Sequence, residues 1–500
     1  MGETPNPTTD HSPPSWAAAA IALLTIPAFL LGLSVPFFGP DEPRYAEVGR
    51  EMWQSGDWIT PTLGGYHWFE KPPLLYWLEA VSYSIFGVSE FSARLGPALF
   101  GLATIACLWI LGRITLGSDD KSLTRWILIG AGSTLGLITF SHAATTDVIV
   151  TQPMTMALTG FFVFDTRERG REAGARLYAP LAAMYLAAGV AMLAKGLIGI
   201  IFPPAIILFY YVLSRRMPSQ RLLISVVWGL PLTLAVAAIW YVPMYLRHGN
   251  EFVQEFIIRQ HFERFTTNIF QHPQPFYFFL WVLPLMTLPW LPFFVFGLWK
   301  SVRRIVDRTE YQVPRLLAFS FAWLIVPVVF FSTSSSKLPS YILPAVPAAI
   351  IMAAVGIYRL AQRRGLWKWI AISIAGVTLV TAYVALVAVL PSRAAQESTK
   401  PLFDAADQRG LGSARVFLLH SYNYNAEFYA AGRLQRTDDG KQVRLFGSDE
   451  VREAIKRSGG GTTLVLVPND RVDQLLTDTT LTCELLAQNR EETMLAVSLK

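Results

Sequence analysis

Six short clusters hold most of the side chains in this 500-residue chain that are suited to chemistry. The first, GPDEPRYAEVGREM, runs from Gly39 to Met52. Asp41 and Glu42 open it, and Arg44 follows Asp41 by three residues. A carboxylate in that position can accept a proton from an incoming nucleophile, or orient it. The planar fork of Arg44 can grip a phosphate. The second cluster, WFEKPPLLYW from Trp68 to Trp77, sets Glu70 and Lys71 between aromatic residues and a Pro-Pro pair that stiffens the backbone. A Lys fixed at a membrane interface suits a lipid phosphate.

Four clusters lie further along. SHAATTDVIV contributes Asp147, and LAKGLIG contributes Lys195. IIRQHFERF offers Arg259, His261, Glu263 and Arg264. SSSKLPSYILP offers Lys337 and Tyr341 in an anion-binding loop. His261 paired with Glu70 would supply an imidazole nitrogen and a carboxylate oxygen, half of a zinc site. Each cluster also has a plainer explanation. The first reads as an amphipathic helix lying on the bilayer, with Asp41 as N-cap and Pro43 in the first turn. Lys71 and Lys195 read as snorkelling side chains, and Asp147 as a helix N-cap. Six such clusters gathered on one side of a membrane have no comparably plain explanation.

The elements that must position them are membrane helices. Hydrophobic residues make up 52% of the chain and its mean hydropathy is +0.37. Apolar runs of spanning length fall at about 16–38, 94–116, 124–141, 148–166, 177–194, 196–214, 222–246, 276–299, 316–332, 341–358 and 367–390. These runs predict an all-α polytopic membrane protein of about eleven to thirteen transmembrane helices. From residue 391 the chain turns polar and mixed. The alternating stretches RVFLLH and TTLVLV, separated by the helix-like SDEVREAIKR, predict a small soluble C-terminal α/β domain. The expected organisation is a disordered cytoplasmic tail over 1–15, a membrane domain over 16–390 and the α/β domain over 391–500. The stretch 39–93 is the expected first outer loop. Trp16–Phe38 reads as a retained anchor, because no basic n-region or cleavage site accompanies it.

Charge sets the orientation. The net charge of +6 sits mostly in RITLGSDDKSLTR, RERGREAGAR, SRRMPSQR, KSVRRIVDR and RLAQRRGLWK, which all become inside loops when the N-terminus is cytoplasmic. The basic balance is thus a topology signal, and nucleic acid is not an expected partner. The six clusters and the C-terminal domain then lie outside. Charged groups at membrane level on one face mark a functional site. Cys107 and Cys483 lie far apart and in different settings, which predicts neither an internal disulfide nor a thiolate metal site.

DEPRYAEVGREM, followed about twenty residues later by FEKPPLLYW, resembles the 4-amino-4-deoxy-L-arabinose lipid A transferases of the protein O-mannosyltransferase-like, GT-C superfamily. The resemblance continues in order through TTD, KG, HFERF and SKLPSYILP, and so covers roughly residues 16–390. It implies that 39–93 is a catalytic periplasmic loop with juxtamembrane helices, that a cavity lies above the bilayer, and that the protein is a multi-pass one of the bacterial inner membrane with its active site facing the periplasm. There a sugar would pass from a polyprenyl (undecaprenyl) phosphate carrier to lipid A or another glycan or protein acceptor. Asp41 resembles the family's principal catalytic acid and Asp147 the second. Arg44, Lys71, Lys195 and Tyr341 resemble the groups around the carrier phosphate, to which Arg264 and Lys337 are added. Glu70 and His261 resemble a metal pair of some relatives, with zinc the expected divalent ion. The related alternative transfers mannose or another sugar to protein or another glycolipid. A transporter is the alternative of a different class, but it would carry charge at mid-span and internal repeats, and the apolar runs show neither.

Overall fold

The structure is a computed structural model that describes residues 12–115, 121–267, 273–306, 315–438 and 440–500. Most of the expected N-terminal tail lies outside the described residues. The chain opens with α1 (Ser15–Leu30), then α2 (Asp41–Ser55). A small antiparallel hairpin, β1 (Thr62–Leu63) and β2 (Tyr66–His67), leads through Pro72 and Pro73 into α3 (Leu74–Phe86). The membrane bundle continues with α4 (Glu90–Thr115), α5 (Lys121–Gly132), α6 (Leu135–Ser141), α7 (Thr146–Arg169), α8 (Ala175–Lys195), α9 (Ile198–Ser214) and α10 (Gln220–Phe252). A π-helical stretch, Val253–Glu263, joins α10 to the short α11 (Arg264–Thr266). Next come α12 (Phe278–Met286), α13 (Leu291–Val306) and α14 (Arg315–Thr333), then a 3-10 turn at Pro339–Ala345. Finally α15 (Val346–Arg363), α16 (Leu366–Val384) and α17 (Leu390–Glu397) complete the bundle.

Each expected apolar run contains helix, but the helices are not equally long, and the run at 16–38 is helical only as far as Leu30. Seven described helical segments are long and apolar enough to cross a membrane, or eight if the bent pair α5–α6 is one span. The remaining runs, α1, α9 and α12–α13, are short or interrupted. Pro27 lies inside α1, Pro203 and Pro204 inside α9, and Pro284 inside α12. The 50° bend between α5 and α6 falls at Ser133–Thr134. There both hydroxyls donate back to carbonyls one turn earlier, Ile129 and Gly130, at 2.6 Å each, a usual cause of helix bending. The helix α7 runs through the middle of the bundle and is buried along nearly its whole length.

The C-terminal unit comprises α18 (Lys400–Gln408), β3 (Val416–Leu419), α19 (Tyr424–Ala430), β4 (Arg444–Leu445), α20 (Ser448–Arg457), β5 (Thr463–Pro468), α21 (Asp473–Leu476), β6 (Leu481–Gln488) and β7 (Glu492–Leu499). Its five strands lie in the order β4-β3-β5-β7-β6, parallel across the first three and antiparallel after β5. Val416, Leu418, Leu464 and Leu466 face α18 and α19, while Phe417, Leu419, Val465 and Val467 face α20 and α21. A sheet covered on both faces needs apolar residues on both, which is why VFLL and TLVLV are continuous apolar strands instead of alternating ones.

The helix α19 docks this unit onto α2. Arg50 donates to the Phe428 carbonyl at 2.8 Å, Asn425 donates to the Phe37 carbonyl at 2.7 Å, and the Phe37 amide donates to the Tyr429 hydroxyl at 2.8 Å. Lys400 and Tyr429 both reach Glu90 at the start of α4, at 2.8 and 2.9 Å. The result alters the expected surface helix. Tyr45, Val48 and Met52 are buried as the helical period implies, but Glu47 and Arg50 are buried too, as an ion pair, at 3% and 5% exposure. The helix α2 is therefore an internal element between membrane bundle and cap, not an amphipathic helix on a bilayer.

Candidate active site

Helix ends build the site. Asp41 does not cap α2; it occupies the first turn, where the helix dipole favours an acid, and pairs with Arg44 at 2.7 Å. Asp147 likewise lies in the first turn of α7 and not at its cap. Lys195 ends α8 and bonds the Asp147 carboxylate, while its ammonium lies over the Tyr341 ring at 4.8 Å. Gly196, with φ +75°, then turns the chain into α9. A Cβ there would sit 2.0 Å from His261 Nε2, so this position needs Gly twice over.

Glu70 is the hub. Lys71 reaches it at 2.9 Å, Arg264 at 3.5 Å and Arg44 at 3.8 Å. Burial alone would raise its pKa, but Lys71, Arg44 and Arg264 outweigh burial and hold it at about 2. Burial has the opposite consequence for Lys71, which falls to about 8 despite its bond to Glu70. Burial also opposes the charge of Arg44, yet Glu70, Tyr45 and Asp41 keep that guanidinium still more firmly protonated than usual. Arg44 is further enclosed by the rings of Tyr45 at 5.2 Å, Trp68 at 5.6 Å and Tyr424 at 5.2 Å. Arg264 also donates to the Tyr341 hydroxyl at 3.0 Å and to Gln260 at 2.9 Å. Three cations facing one carboxylate leave a net positive site.

Arg44, Glu70, Lys71 and Arg264 line a cavity of about 860 Å³ whose wall also includes Asp41, Asp147, Lys195 and Tyr341. A second, apolar cavity of about 260 Å³ adjoins it, lined by Ile198, Ile201, Phe262, Phe265, Phe330 and Phe331. The two share Glu70, Lys71, Lys195, Gln260, Arg264 and Tyr341. The cation cluster therefore stands where a polar chamber meets a greasy one. Ile201 and Phe262 are 44% and 55% exposed, which leaves the greasy chamber accessible from the side.

The structure departs from two sequence expectations. Lys337 is not among the residues lining either cavity. It is buried, and its ammonium is bonded to the carbonyls of Gln274 and Ser334. Ser334 directly follows α14, so the charge stabilises a helix C-terminus and is not directed at an anion. Glu70 and His261 line one cavity but do not form a metal pair. His261 Nδ1 is bonded to the Phe256 carbonyl at 2.8 Å, and Nε2 accepts the Leu197 amide at 3.3 Å. With both ring nitrogens engaged and Glu70 surrounded by cations, these donors do not fit a zinc ion.

Other residues of the site carry little sequence signal. Glu42, the neighbour of Asp41, clamps Arg94 at 2.7 and 2.9 Å and accepts the Ala144 amide at 2.8 Å. It thereby joins α2, α4 and the turn before α7. Tyr424 and Lys441 come from the C-terminal unit, more than 350 residues from Asp41 in sequence.

Fold and site together define a polytopic membrane protein with a capped, cationic cavity that opens toward an apolar groove. Residues 70–243 match the family model described as dolichyl-phosphate-mannose-protein mannosyltransferase. The chain is 32% identical over 349 residues to the undecaprenyl phosphate-alpha-4-amino-4-deoxy-L-arabinose arabinosyl transferase of Aeromonas salmonicida, covering 67% of this chain and 59% of that protein. The correspondingly named protein of Yersinia enterocolitica is 31% identical over 344 residues, again 67% of this chain and 58% of the relative. The chain thus spans somewhat under two thirds of the length of the curated relatives it matches. The crystal structure of ArnT from Cupriavidus metallidurans bound to undecaprenyl phosphate superposes with a TM-score of 0.78 at 24% identity, over 96% of this chain and 97% of that one. The archaeal oligosaccharyltransferase AglB from Archaeoglobus fulgidus has the same general fold, with a TM-score of 0.55 at 14% identity over 91% and 69% of the two chains. Residues 70–243 thus resemble the dolichyl-phosphate-mannose-protein mannosyltransferases, and the chain as a whole shares its fold with the solved transferase structures.

Proposed function

We propose that this protein is an inverting glycosyltransferase of the bacterial inner membrane. It moves 4-amino-4-deoxy-L-arabinose from undecaprenyl phosphate to a lipid A phosphate on the periplasmic side. The observation that carries the reading is the junction of the two cavities. A donor with a phosphate head and a prenyl tail matches a cation cluster that opens into an apolar groove. The names of the similar curated proteins supply the sugar and the carrier.

The chemistry follows from charge. The bond between the anomeric carbon and the carrier phosphate breaks, and its electron pair leaves with the phosphate. Arg44, Lys71 and Arg264, already concentrated around Glu70, stabilise that departing anion. Lys195, oriented by Asp147, adds a fourth cation to the cavity wall. The acceptor oxygen attacks from the opposite face, which inverts the carbon. Asp41, with 55% of its side chain exposed and its carboxylate beside Arg44, is the acid next to the cation cluster that an incoming acceptor can reach. Toward an ionised phosphate it orients the acceptor or holds the sugar's amino group; toward a hydroxyl it takes the proton.

The test is mass spectrometry of lipid A from a host that makes the donor but lacks its own transferase. Wild-type protein is expected to add the aminoarabinose mass. Asp41→Asn, present in the membrane at equal level, is expected to lower transfer by about 10²–10⁴-fold. Unmodified lipid A with well-folded wild type would reject the lipid A assignment. A detected transfer of mannose to protein would favour the related reading instead.

A further inference from the structure

At the rim of the large cavity stands a second constellation that the proposed reaction does not use. His67 ends the hairpin strand β2, while His248 and Glu251 flank Gly249 at the break in α10. Among the described residues these three form a group whose ligand atoms all lie within 4.8 Å of one another. His67 Nδ1 and Glu251 Oε1 are 3.2 Å apart. A tetrahedral zinc with bonds of about 2.0–2.1 Å holds its ligand atoms about 3.3–3.4 Å from each other, so one edge of such a site is nearly at its final length.

The rings are also held in place. His67 stacks on Phe69 with centroids 5.1 Å apart, and His248 meets Phe69 at 5.0 Å and His67 at 4.5 Å. Phe69 itself is buried at 6% exposure, so it forms a fixed floor beneath both imidazoles. Thr60 Oγ1 bonds His248 Nε2 at 2.9 Å, the kind of outer partner that orients a metal-binding histidine. Gly249 has φ +52°, which sharply re-aims the chain between His248 and Glu251. The neighbouring cation Arg247 is paired with Asp57 at 2.7 Å, so its charge is already matched.

We propose that His67, His248 and Glu251 form a binding site for a zinc-class divalent metal at the cavity mouth, distinct from the Glu70–His261 pair. Two imidazoles and one carboxylate are a borderline-soft donor set suited to zinc, and they leave a fourth position for water or a ligand oxygen. His67 and Glu251 both line the large cavity. His67 lies three residues before Glu70, and α10 leads through the π-helix to Gln260 and Arg264. A bound ion would therefore clamp together the two segments whose charges meet at Glu70.

The experiment uses full-length protein in detergent, stripped of metal and reloaded with zinc or cobalt. Zinc per chain is measured after gel filtration, and cobalt is followed by its visible absorption. Wild type is expected to hold one zinc, with a tetrahedral-type cobalt spectrum and a raised Tm. His67→Ala and His248→Ala should each weaken binding by at least about tenfold, whereas His67→Cys should restore it with a sulfur-ligand cobalt band. His261→Ala should keep the zinc. No uptake by wild type at micromolar zinc would leave only an ion pair here and overturn the proposal. So would zinc that survives in His67→Ala and His248→Ala, or that disappears only in His261→Ala. Variants that fail to elute as folded monodisperse protein are replaced by His67→Asn and Glu251→Gln, read in the same way.

Discussion

Lys71 carries a charge that pH can remove. Its pKa of about 8 lies well below the usual value for Lys because burial outweighs the attraction of Glu70. As pH rises through about 8 the site loses a cation, and the proposed phosphate-linked donor should bind less well. Losing one charge-assisted contact corresponds to roughly a tenfold rise in KM. A bound phosphate raises the Lys71 pKa again, so kcat at saturating donor should change little. Arg does not deprotonate in this range, so Lys71→Arg should flatten the alkaline limb of kcat/KM whatever its absolute rate. An unchanged alkaline limb in that variant would show that another group titrates. Glu70, held at about 2, stays ionised throughout, so the acid limb should not report it.

At the scale of elements, the site depends on how closely α2 and α3 approach. Gly49 on α2 faces Glu79 on α3, and a Cβ at position 49 would lie 2.3 Å from Glu79 Oε2 and 2.8 Å from Glu79 Cβ. Glu79 is fully buried, and neither of its carboxylate oxygens has a hydrogen-bond partner among the described residues. Gly49→Ala should therefore overpack this contact and cost about 1–3 kcal/mol, seen as a lowered Tm. Adding Glu79→Ala should recover part of the loss by making room. A double variant no more stable than Gly49→Ala would mean that the glycine is needed for something other than this contact. The short motif around Gly49 thus has two roles. Asp41 and Arg44 face the cavity, while Gly49 lets the helix that carries them sit close to α3.

For the whole molecule, the central question is how the cap stays on. Asn425 links three segments: it donates to the Phe37 carbonyl at 2.7 Å and accepts from the Thr399 hydroxyl at 3.1 Å and the Ser398 hydroxyl at 3.4 Å. Asn425→Ala would leave these buried groups unpaired, at about 1–3 kcal/mol. The expected result is faster limited proteolysis near the α17–α18 junction, together with weaker donor use, because Tyr424 would no longer lie over Arg44. Faster cleavage with unchanged donor kinetics would show that the cap only covers the cavity and does not help to form it.

The apolar helices and the polar clusters that gather in one site were legible in the sequence alone. Apolar run length, proline placement and interfacial charge are local properties, and local properties survive in a one-dimensional reading. The α/β character of the last hundred residues was legible for the same reason, although the two-sided burial of β3 and β5 was not. The tertiary structure decided which charges meet. Lys337 looked like the other cations of the motifs, yet in the fold its ammonium bonds two backbone carbonyls. Glu42 looked interchangeable with Asp41, yet one clamps Arg94 while the other remains exposed in the cavity. Tyr424 and Lys441 gave no sign of belonging to the site. An ion pair or ring contact forms over a few ångströms, and only the packing of α2 against α3 and α19 brings groups hundreds of residues apart within that range.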